Sequence, residues 1–397
     1  MPFYLCHMSE ESKYLQRGVS ARKEDVHAAI RSLDKGLYPN AFCKIFPDYL
    51  GHEEAWCNLS HGDGTGTKSA LAYIYWKETG DISVWRNLVV DNIVMNLDDL
   101  LCAGATNDFL YTSLINRNKQ LIPGEVIRAL IEGASAFFEE MKKWDLRIHY
   151  MGGETADLGD SVRTLTVDAG MTCRMKRSEV LEEKIQPGDL VLGLSSFGQT
   201  TYEQDYNSGI GSNGLTAARH DVLHHDYAAK YPESYNPLIE DSLVYAGHKK
   251  LEDPLIGTPL NTGQALLSPT RTYAPILLEA LQLYRPKIHG LIHCTGGGQG
   301  KVLHFIEDLQ VIKNNLFPVP PLFRMIQEES GTPASEMYRV FNMGHRMEIY
   351  TDEKTAAGIT GIAARFGCEA RIVGEVRAHQ GKEVVLHTES GEIRYAQ

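Results

Sequence analysis

The sequence lacks the cysteine pairs, the long apolar runs and the excess of basic side chains that mark several common protein classes. Its seven cysteines are scattered and none forms a Cys-x-x-Cys pair, so free thiols are predicted rather than a zinc or redox motif. No apolar run approaches the ~18 residues that span a bilayer. With 39 basic against 51 acidic side chains, the net charge of −12 disfavours nucleic acid and anionic membranes as partners.

The N-terminus also lacks the basic region and long apolar stretch of a secretory signal. A cytoplasmic protein that binds no membrane is therefore expected. One short basic cluster, Arg174-Met-Lys-Arg177, ends a predicted strand. A solvated turn is favoured there over a contact with nucleic acid.

The chain is long enough for two domains. Its 397 residues exceed one ordinary domain, and a hydrophobic content of 43% is typical of globular proteins. Residues 164–175 alternate between apolar and polar side chains, which predicts a half-buried strand, and a polar, turn-rich segment follows at 176–188. We expect an α/β (α+β) protein with an N-terminal domain at 1–175 and a C-terminal domain at 176–397.

Apolar spacing predicts further elements on both sides of this boundary. Helices are predicted over 85–101 and from Pro123 to Met141, strands over 147–151, 190–196 and 287–294, and the opening of a helix in "KVLHFIED" at 301–308. Residues 197–214 carry no core pattern. Loops of this length are often functional lids.

The stretch "HGDGTGTK" at 61–68 places an aspartate in a predicted glycine-rich turn. Thr67 breaks the P-loop pattern, and the glycines do not match a dinucleotide fingerprint. Such a turn lets backbone amides approach phosphate. The predicted phosphate-binding residues here are Gly62, Gly64, Thr65, Gly66 and Lys68. Because a carboxylate beside phosphate needs a divalent cation between them, Asp63 is predicted to hold metal, unless it belongs to an ordinary Asp-Gly turn.

Further carboxylates follow. Asp91 and Asp98 are seven residues apart on the predicted helix and therefore share a face. This face either contributes to a metal and phosphate site or is exposed to water. Asp99 lies at the margin of the apolar stripe and needs a partner, for which a metal is one candidate. Glu154 and Thr155 in "GGET" follow a predicted strand, where α/β proteins bind ligands.

The second half carries a segment typical of anion sites, "HCTGGG" at 293–298, in which a strand ends in a glycine turn. Thr295, Gly296, Gly297 and Gly298 are candidate phosphate or substrate contacts there, with a plain loop as the alternative. His293 is a candidate for proton transfer or a packed histidine. Arg271 in "LSPTRTY" binds a phosphate or forms a surface ion pair. Asn213 in "GSNG" binds a ligand or forms a turn.

Together these segments resemble the aminoimidazole ribonucleotide synthetase family, the ATP-dependent cyclo-ligases of purine synthesis. The resemblance is collinear from about residue 14 to 377. Its most specific segments are "LSPTR" at 267–271, "HCTGGG" at 293–298 and "EMYRVFNMG" at 336–344. "GDGTGTK", "DNIVMNLDDLLCAGA" at 91–105, "GGETAD" at 152–157 and "GSNG" at 211–214 are shared more widely.

The resemblance implies a homodimer whose N-terminal sheets pair into a barrel, with ATP and a small ribonucleotide bound near the domain junction. It implies magnesium, and potassium as an activating ion. Asp63, Asp91 and Asp99 would then be metal-site residues, Asp63, Asp99 and His293 would be catalytic, and Glu154 would lie nearby. Lys68 would neutralise phosphate, and Asn213, Thr270, Arg271, His293 and the following glycines would meet the substrate.

The chain departs from the family pattern at several places. "NAFCKIFPDYL" at 40–50 replaces a glycine-rich stretch, and "YLQRGVSA" at 14–21 replaces a lysine-containing one. Gly211 stands near the position of a histidine usual before "SNG". The family's "FNMGxGM" becomes "FNMGHRM", with His345 and Arg346.

Two rival functions stay open. One keeps the fold and changes the acceptor, as in selenophosphate synthetase, thiamine-monophosphate kinase or formylglycinamidine synthetase. Selenophosphate synthetase wants a reactive cysteine in a glycine-rich setting, which Cys6 in "YLCHM" lacks. The other is a nucleotide-binding regulatory protein without catalysis.

Overall fold

A computed structural model describes residues 13–19, 29 and 33–396 of the chain. Cys6 and the end of the 14–21 segment lie outside these ranges. Within them, no helix is both long enough and apolar enough to cross a membrane. The fold combines two mixed sheets with helices, as the sequence predicts.

The first sheet has five strands in the order β1-β2-β5-β3-β4, and only the β3–β4 pair is parallel. The strands are β1 Ile45–Pro47, β2 Trp56–Gly64, β3 Phe109–Arg117, β4 Ile148–Asp157 and β5 Leu165–Lys176. Burial alternates along β5, which confirms the predicted half-buried strand.

The second sheet has seven strands in the order β12-β11-β8-β10-β6-β9-β7. The strands are β6 Leu190–Ser195, β7 Ile288–His293, β8 Leu309–Lys313, β9 His345–Thr351, β10 Ala370–Ala378, β11 Glu383–Thr388 and β12 Gly391–Ala396. The first sheet is built only from strands before residue 177 and the second only from strands after it. On this grouping we propose that the chain has two domains, at 1–175 and 176–397.

The described α-helices pack on these sheets. They are α1 Lys13–Gln16, α2 Lys68–Thr79, α3 Ser83–Cys102, α4 Gly124–Lys142, α5 Leu215–Val222, α6 Asp226–Lys230, α7 Thr262–Leu267, α8 Ala274–Tyr284, α9 Pro321–Ser330, α10 Ala334–Val340 and α11 Glu353–Arg365. The long helices α3 and α4 confirm the two helices predicted in the first half. Pro123 lies just before α4, at its N-cap.

Helix α3 lies between the two sheets. It packs on β2 and β5 of the first sheet and on β7 of the second. Near its end, the Cys102 Sγ lies 3.8 Å from the sulfur of Met347 on β9. Sixteen of its 20 residues are buried, so the helix has almost no face left for water. Polar side chains on α3 must therefore find partners in protein or ligand.

Two segments of the second half were predicted only in outline. The helix expected to open at 301–308 is a 3-10 helix over Gly298–His304, and the chain begins β8 at Leu309. The segment 197–214, which carries no core pattern in the sequence, is partly packed into the fold. Asn207 to Ile210 are buried, and Glu203 is held by two hydrogen bonds from Arg271.

Candidate active site

Asp63 of the "HGDGTGTK" motif lies on a strand and not in the predicted turn. Residues 62–64 pair with Gly170, Ala169 and Asp168 of β5, and the chain turns only after Gly64. A side chain at position 64 would displace the Asp168 carboxylate, because a Cβ there would stand 1.9 Å from the Asp168 Oδ1. Asp63 is part-buried, and one of its oxygens accepts a hydrogen bond from the Gly64 amide at 2.7 Å.

Lys68, at the start of α2, is fully buried and bound to Asp91 of α3. Its Nζ donates to the Asp91 Oδ1 at 2.8 Å and to the Ser268 carbonyl at 2.6 Å. The same Asp91 oxygen accepts hydrogen bonds from the backbone amide and the hydroxyl of Thr270. Burial lowers the pKa of Lys68, whereas Asp91 raises it. The predicted phosphate lysine and metal aspartate thus form a buried ion pair between α2 and α3, to which Ser268 and Thr270 of the second half also bind.

The remaining α3 carboxylates also reach across the junction, so the alternative that Asp91 and Asp98 face water is wrong. Asp98 accepts hydrogen bonds from the Thr272 hydroxyl at 2.6 Å and the Tyr273 amide at 2.9 Å. Burial raises the pKa of Asp98, and the neighbouring His293 and these hydrogen bonds lower it. Asp98 therefore anchors the 270–273 segment to α3.

Asp99 lies between two histidines. Its Oδ1 is 2.7 Å from the Nδ1 of His293, at the end of β7, and its Oδ2 is 3.3 Å from the Nε2 of His61 on β2. The Nδ1 of His61 is in turn 3.0 Å from the Asn96 side-chain oxygen. His293 is fully buried, and its Nε2 has no protein hydrogen-bond partner. A carboxylate in this position fixes the ring and its tautomer.

The predicted substrate segments meet at the same junction. The Thr67 hydroxyl lies 2.8 Å from that of Thr216, next to the "GSNG" segment. The side-chain oxygen of Asn213 lies 3.7 Å from where a Cβ on Gly296 would stand. The glycine turn closes through a hydrogen bond from the Gly298 amide to the Thr295 carbonyl at 3.1 Å. Gly297 has a φ of 99°, a conformation that favours glycine.

Arg271 is a buried ion-pair residue in this structure, not a surface one. Its guanidinium donates to both Glu203 oxygens, at 2.9 and 2.6 Å, and to the carbonyls of Ser195 and Phe197. Only 2% of the residue is exposed. Its fork therefore holds the 197–203 segment in place.

The "GGET" segment lies apart from the other motifs within one chain. Glu154 and Thr155 are exposed in the middle of β4, not at a strand end, because residues 153–157 continue the pairing with β3 past an irregularity near Ser113. Two strands separate β4 from β2, which places it about 14 Å from the Asp63 strand.

Several buried polar atoms at the junction have no protein hydrogen-bond partner. They are Thr65 Oγ1, Asp91 Oδ2, Ser212 Oγ, His293 Nε2 and Arg346 Nε. Buried polar atoms are normally paired, so unpaired ones gathered at a junction indicate a ligand site. Among the described residues, no group of three or more His, Cys, Asp or Glu side chains is placed to hold a metal ion.

The sequence reasoning missed four contributors to this site, namely His61, Asn96, Thr272 and Arg346. A signal existed for His61, because positions 57, 59, 61 and 63 share one face of β2 and the first two are buried. Thr272 and Arg346 gave no such signal. Their roles depend on contacts with residues far away in sequence, Asp98 for Thr272 and Ile210 and Arg271 for Arg346.

The chain matches two family profiles along most of its length. Residues 50–175 match the AIR synthase related protein, N-terminal domain, and residues 186–387 match the AIR synthase related protein, C-terminal domain. A relative from Thermococcus kodakarensis, named phosphoribosylformylglycinamidine cyclo-ligase, is 31% identical over 344 residues, covering 83% of this chain and 85% of its own. One of the same name from Methanocaldococcus jannaschii is 28% identical over 319 residues, covering 79% and 76%.

A solved structure shares the fold. A chain of the HypE–HypF complex superposes with a TM-score of 0.54 at 15% identity, covering 94% of this chain and 99% of that one. The solved structure shows the fold alone, whereas the profile matches and the relatives show the family. The chain belongs to the AIR synthase related family.

Proposed function

We propose that this protein is an ATP-dependent cyclo-ligase that converts formylglycinamidine ribonucleotide to aminoimidazole ribonucleotide in purine biosynthesis. The names of its relatives support this reaction. The observation that carries it is the meeting, at one junction, of a buried Lys68–Asp91 pair and an Asp99–His293 pair whose Nε2 is unpaired. The first suits phosphate and the second suits proton transfer.

The reaction has a chemical demand that this site meets. A formamide oxygen is a poor leaving group, so it first attacks the γ-phosphorus of ATP, forming an O–P bond as ADP leaves. The amidine nitrogen then attacks the activated carbon, forming the C–N bond of the imidazole ring while the C–O bond breaks and phosphate departs. Phosphoryl transfer is mainly positioning and charge stabilisation, which glycine turns, carboxylates and cations provide.

His293 is the residue we assign to proton transfer. Asp99 favours the tautomer in which Nδ1 carries the proton, which leaves Nε2 as an acceptor. The ring-closing nitrogen must lose a proton, and Nε2 is the buried, unpaired group that can take it. Asp99 acts through His293 as a positioning residue in this assignment. His61 on the other side of Asp99 fixes the carboxylate.

Magnesium fits the donor chemistry of the site without a preformed cage. Mg²⁺ bound with ATP takes one or two carboxylates and keeps phosphate oxygens and waters as its other ligands. Of the predicted metal-site residues Asp63, Asp91 and Asp99, we propose the first two as its carboxylates, because both oxygens of Asp99 face histidines. Asp91 has one oxygen committed to Lys68 and one unpaired. The ion would neutralise charge on the phosphates when bound.

We also propose the homodimer, in which two five-stranded sheets face each other. One face of β3 and β4 is left open, with Leu114 and Met151 exposed by 47% and 59% and Leu110 beside them. Exposed apolar patches of this kind mark interaction surfaces. A second copy of the chain would cover them and bring Glu154 toward its partner.

The function is tested by supplying Mg·ATP with formylglycinamidine ribonucleotide and, in parallel, with the acceptors of the rival enzymes, selenide and thiamine monophosphate. ADP release stimulated only by the ribonucleotide supports the cyclo-ligase. Stimulation by another acceptor favours that acceptor. No ADP release with any acceptor, from a protein shown to be folded, favours the regulatory alternative.

The metal assignment is tested with Asp63→Asn and a matched control, Asp160→Asn, at an exposed position. Asp63→Asn should lose magnesium-dependent ADP release while circular dichroism shows a folded protein. The control should keep it. Full activity of Asp63→Asn would remove Asp63 from the metal site.

A further inference from the structure

Arg346 is a buried guanidinium without an anionic partner. It is 2% exposed, and its two terminal nitrogens donate only to the carbonyls of Ile210, at 3.3 Å, and Arg271, at 2.6 Å. Its Nε has no hydrogen-bond partner, and no described carboxylate lies within ion-pair distance. A buried charge is costly unless it is paired, so this arrangement calls for an anion.

The guanidinium lies where the motifs of the site converge. A Cβ added at Gly211 would stand 3.6 Å from an Arg346 terminal nitrogen and 3.9 Å from the Thr270 hydroxyl. The ring of Tyr273 lies 5.7 Å from the guanidinium carbon. The Arg346 side chain therefore lies between the 211–213 segment and the 270–273 segment. Gly211 contributes no side chain next to the guanidinium.

The charges around Arg346 do not satisfy it directly. Asp91 is bound to Lys68 and Thr270, and Asp98 is bound to Thr272 and the Tyr273 amide. Burial lowers the pKa of Lys68, Asp91 opposes that shift, and the charge of Arg346 adds to it, so the two cations feel each other. An anion placed between them would stabilise both.

We propose that Arg346 binds the phosphate group of the ribonucleotide substrate, between Gly211 and Thr270. A phosphate oxygen can accept from the unpaired Nε, and a planar guanidinium suits phosphate geometry. This inference rests on the proposed function for the identity of the substrate. The alternative is that Arg346 only ties the Ile210 and Arg271 carbonyls together, which needs no ligand.

Binding without ATP separates this proposal from the reaction. We would titrate the protein with ribose 5-phosphate and with ribose by calorimetry, comparing wild type, Arg346→Met, Arg346→Lys and the control Arg377→Met, which removes an exposed arginine. Wild type and the control should bind ribose 5-phosphate better than ribose. Arg346→Met should bind the phosphate roughly tenfold to a hundredfold more weakly, the loss expected for hydrogen bonds to a charged group.

The outcomes discriminate. Equal phosphate binding by wild type and folded Arg346→Met overturns the proposal, as does equal binding of ribose and ribose 5-phosphate by wild type. If Arg346→Met does not fold, Arg346→Lys decides, because it keeps the charge but loses the fork; weaker phosphate binding supports the proposal and unchanged binding overturns it. Arg346-dependent phosphate binding in a protein that makes no aminoimidazole product would retain the anion site and reject the proposed reaction.

Discussion

Replacing Asp91 by asparagine tests whether Lys68 is held as a buried cation. Both side chains are fully buried, and the Nζ–Oδ1 distance is 2.8 Å. Asparagine has nearly the same shape and still offers Oδ1 to the Thr270 amide and hydroxyl. The substitution therefore removes the negative charge while most hydrogen bonds survive. Lys68 would be left with only the Ser268 carbonyl and a neutral amide.

The expected loss in free energy of unfolding follows from this burial. Removing one partner of a buried ion pair costs about 3–5 kcal/mol because an uncompensated charge stays behind. The surviving hydrogen bonds place Asp91→Asn near the lower end, at about 3 kcal/mol. The pair between Arg86 and Glu132 has the same 2.8 Å separation, but both side chains are about half exposed. Glu132→Gln should therefore cost less than about 1 kcal/mol.

Urea unfolding, followed by tryptophan fluorescence at low and high salt, measures both variants. Asp91→Asn should be destabilised equally at both salt concentrations, since a buried pair is poorly screened. Adding Lys68→Met to Asp91→Asn should recover part of the loss by removing the buried charge. A loss below about 1 kcal/mol, or a double variant no more stable than Asp91→Asn alone, would refute the buried ion pair.

Three further predictions concern the reaction, the pH response and assembly. His293→Ala should lower turnover by roughly 100-fold or more with little change in ATP affinity, measured by steady-state kinetics and nucleotide titration; unchanged turnover removes it from the mechanism. Burial lowers the pKa of His345. Burial raises the pKa of Glu348, but the neighbouring Lys313 and His345 outweigh that effect and lower it to about 2. The free energy of unfolding should therefore fall on acidification, below pH 6.5 through His345 and between pH 4.5 and 2 through Glu348, the latter by about 3 kcal/mol. In a plot of this free energy against pH, Glu348→Gln should flatten the part below pH 4.5. Parallel curves for the wild type and the variant would contradict this. Leu114→Glu should convert a dimer to single chains in light scattering, and an unchanged mass contradicts the proposed face.

Local patterns predicted the elements that have a clear period. The alternation at 164–175 became β5, and apolar spacing located α3 and α4 to within a few residues. The helix opening predicted at 301–308 is a 3-10 helix over 298–304, and apolar spacing over a few residues does not distinguish this form from an α-helix. The packing of 197–214 could not be predicted locally, because Glu203 in this segment is bound by Arg271, which is distant in sequence.

The sequence named several residues that the structure brings to this junction, but it did not indicate how they pair. Asp91 and Asp98 looked like surface residues because a single sequence does not show that α3 is covered on both sides. Arg271 was expected either to bind phosphate or to form a surface ion pair, whereas its guanidinium forms a buried ion pair with Glu203. Arg346 was noted only as a departure from a family pattern. Each difference involves a contact between residues far apart in sequence, which no local period encodes.

The most direct test of the central claim measures ADP and aminoimidazole ribonucleotide in the same tube. The purified protein would be supplied with Mg·ATP, with and without formylglycinamidine ribonucleotide. The account predicts ADP release that depends on the ribonucleotide, with one aminoimidazole product formed for each ADP, and loss of both in His293→Ala. ADP release without that product, or no ADP from a folded preparation, would contradict it.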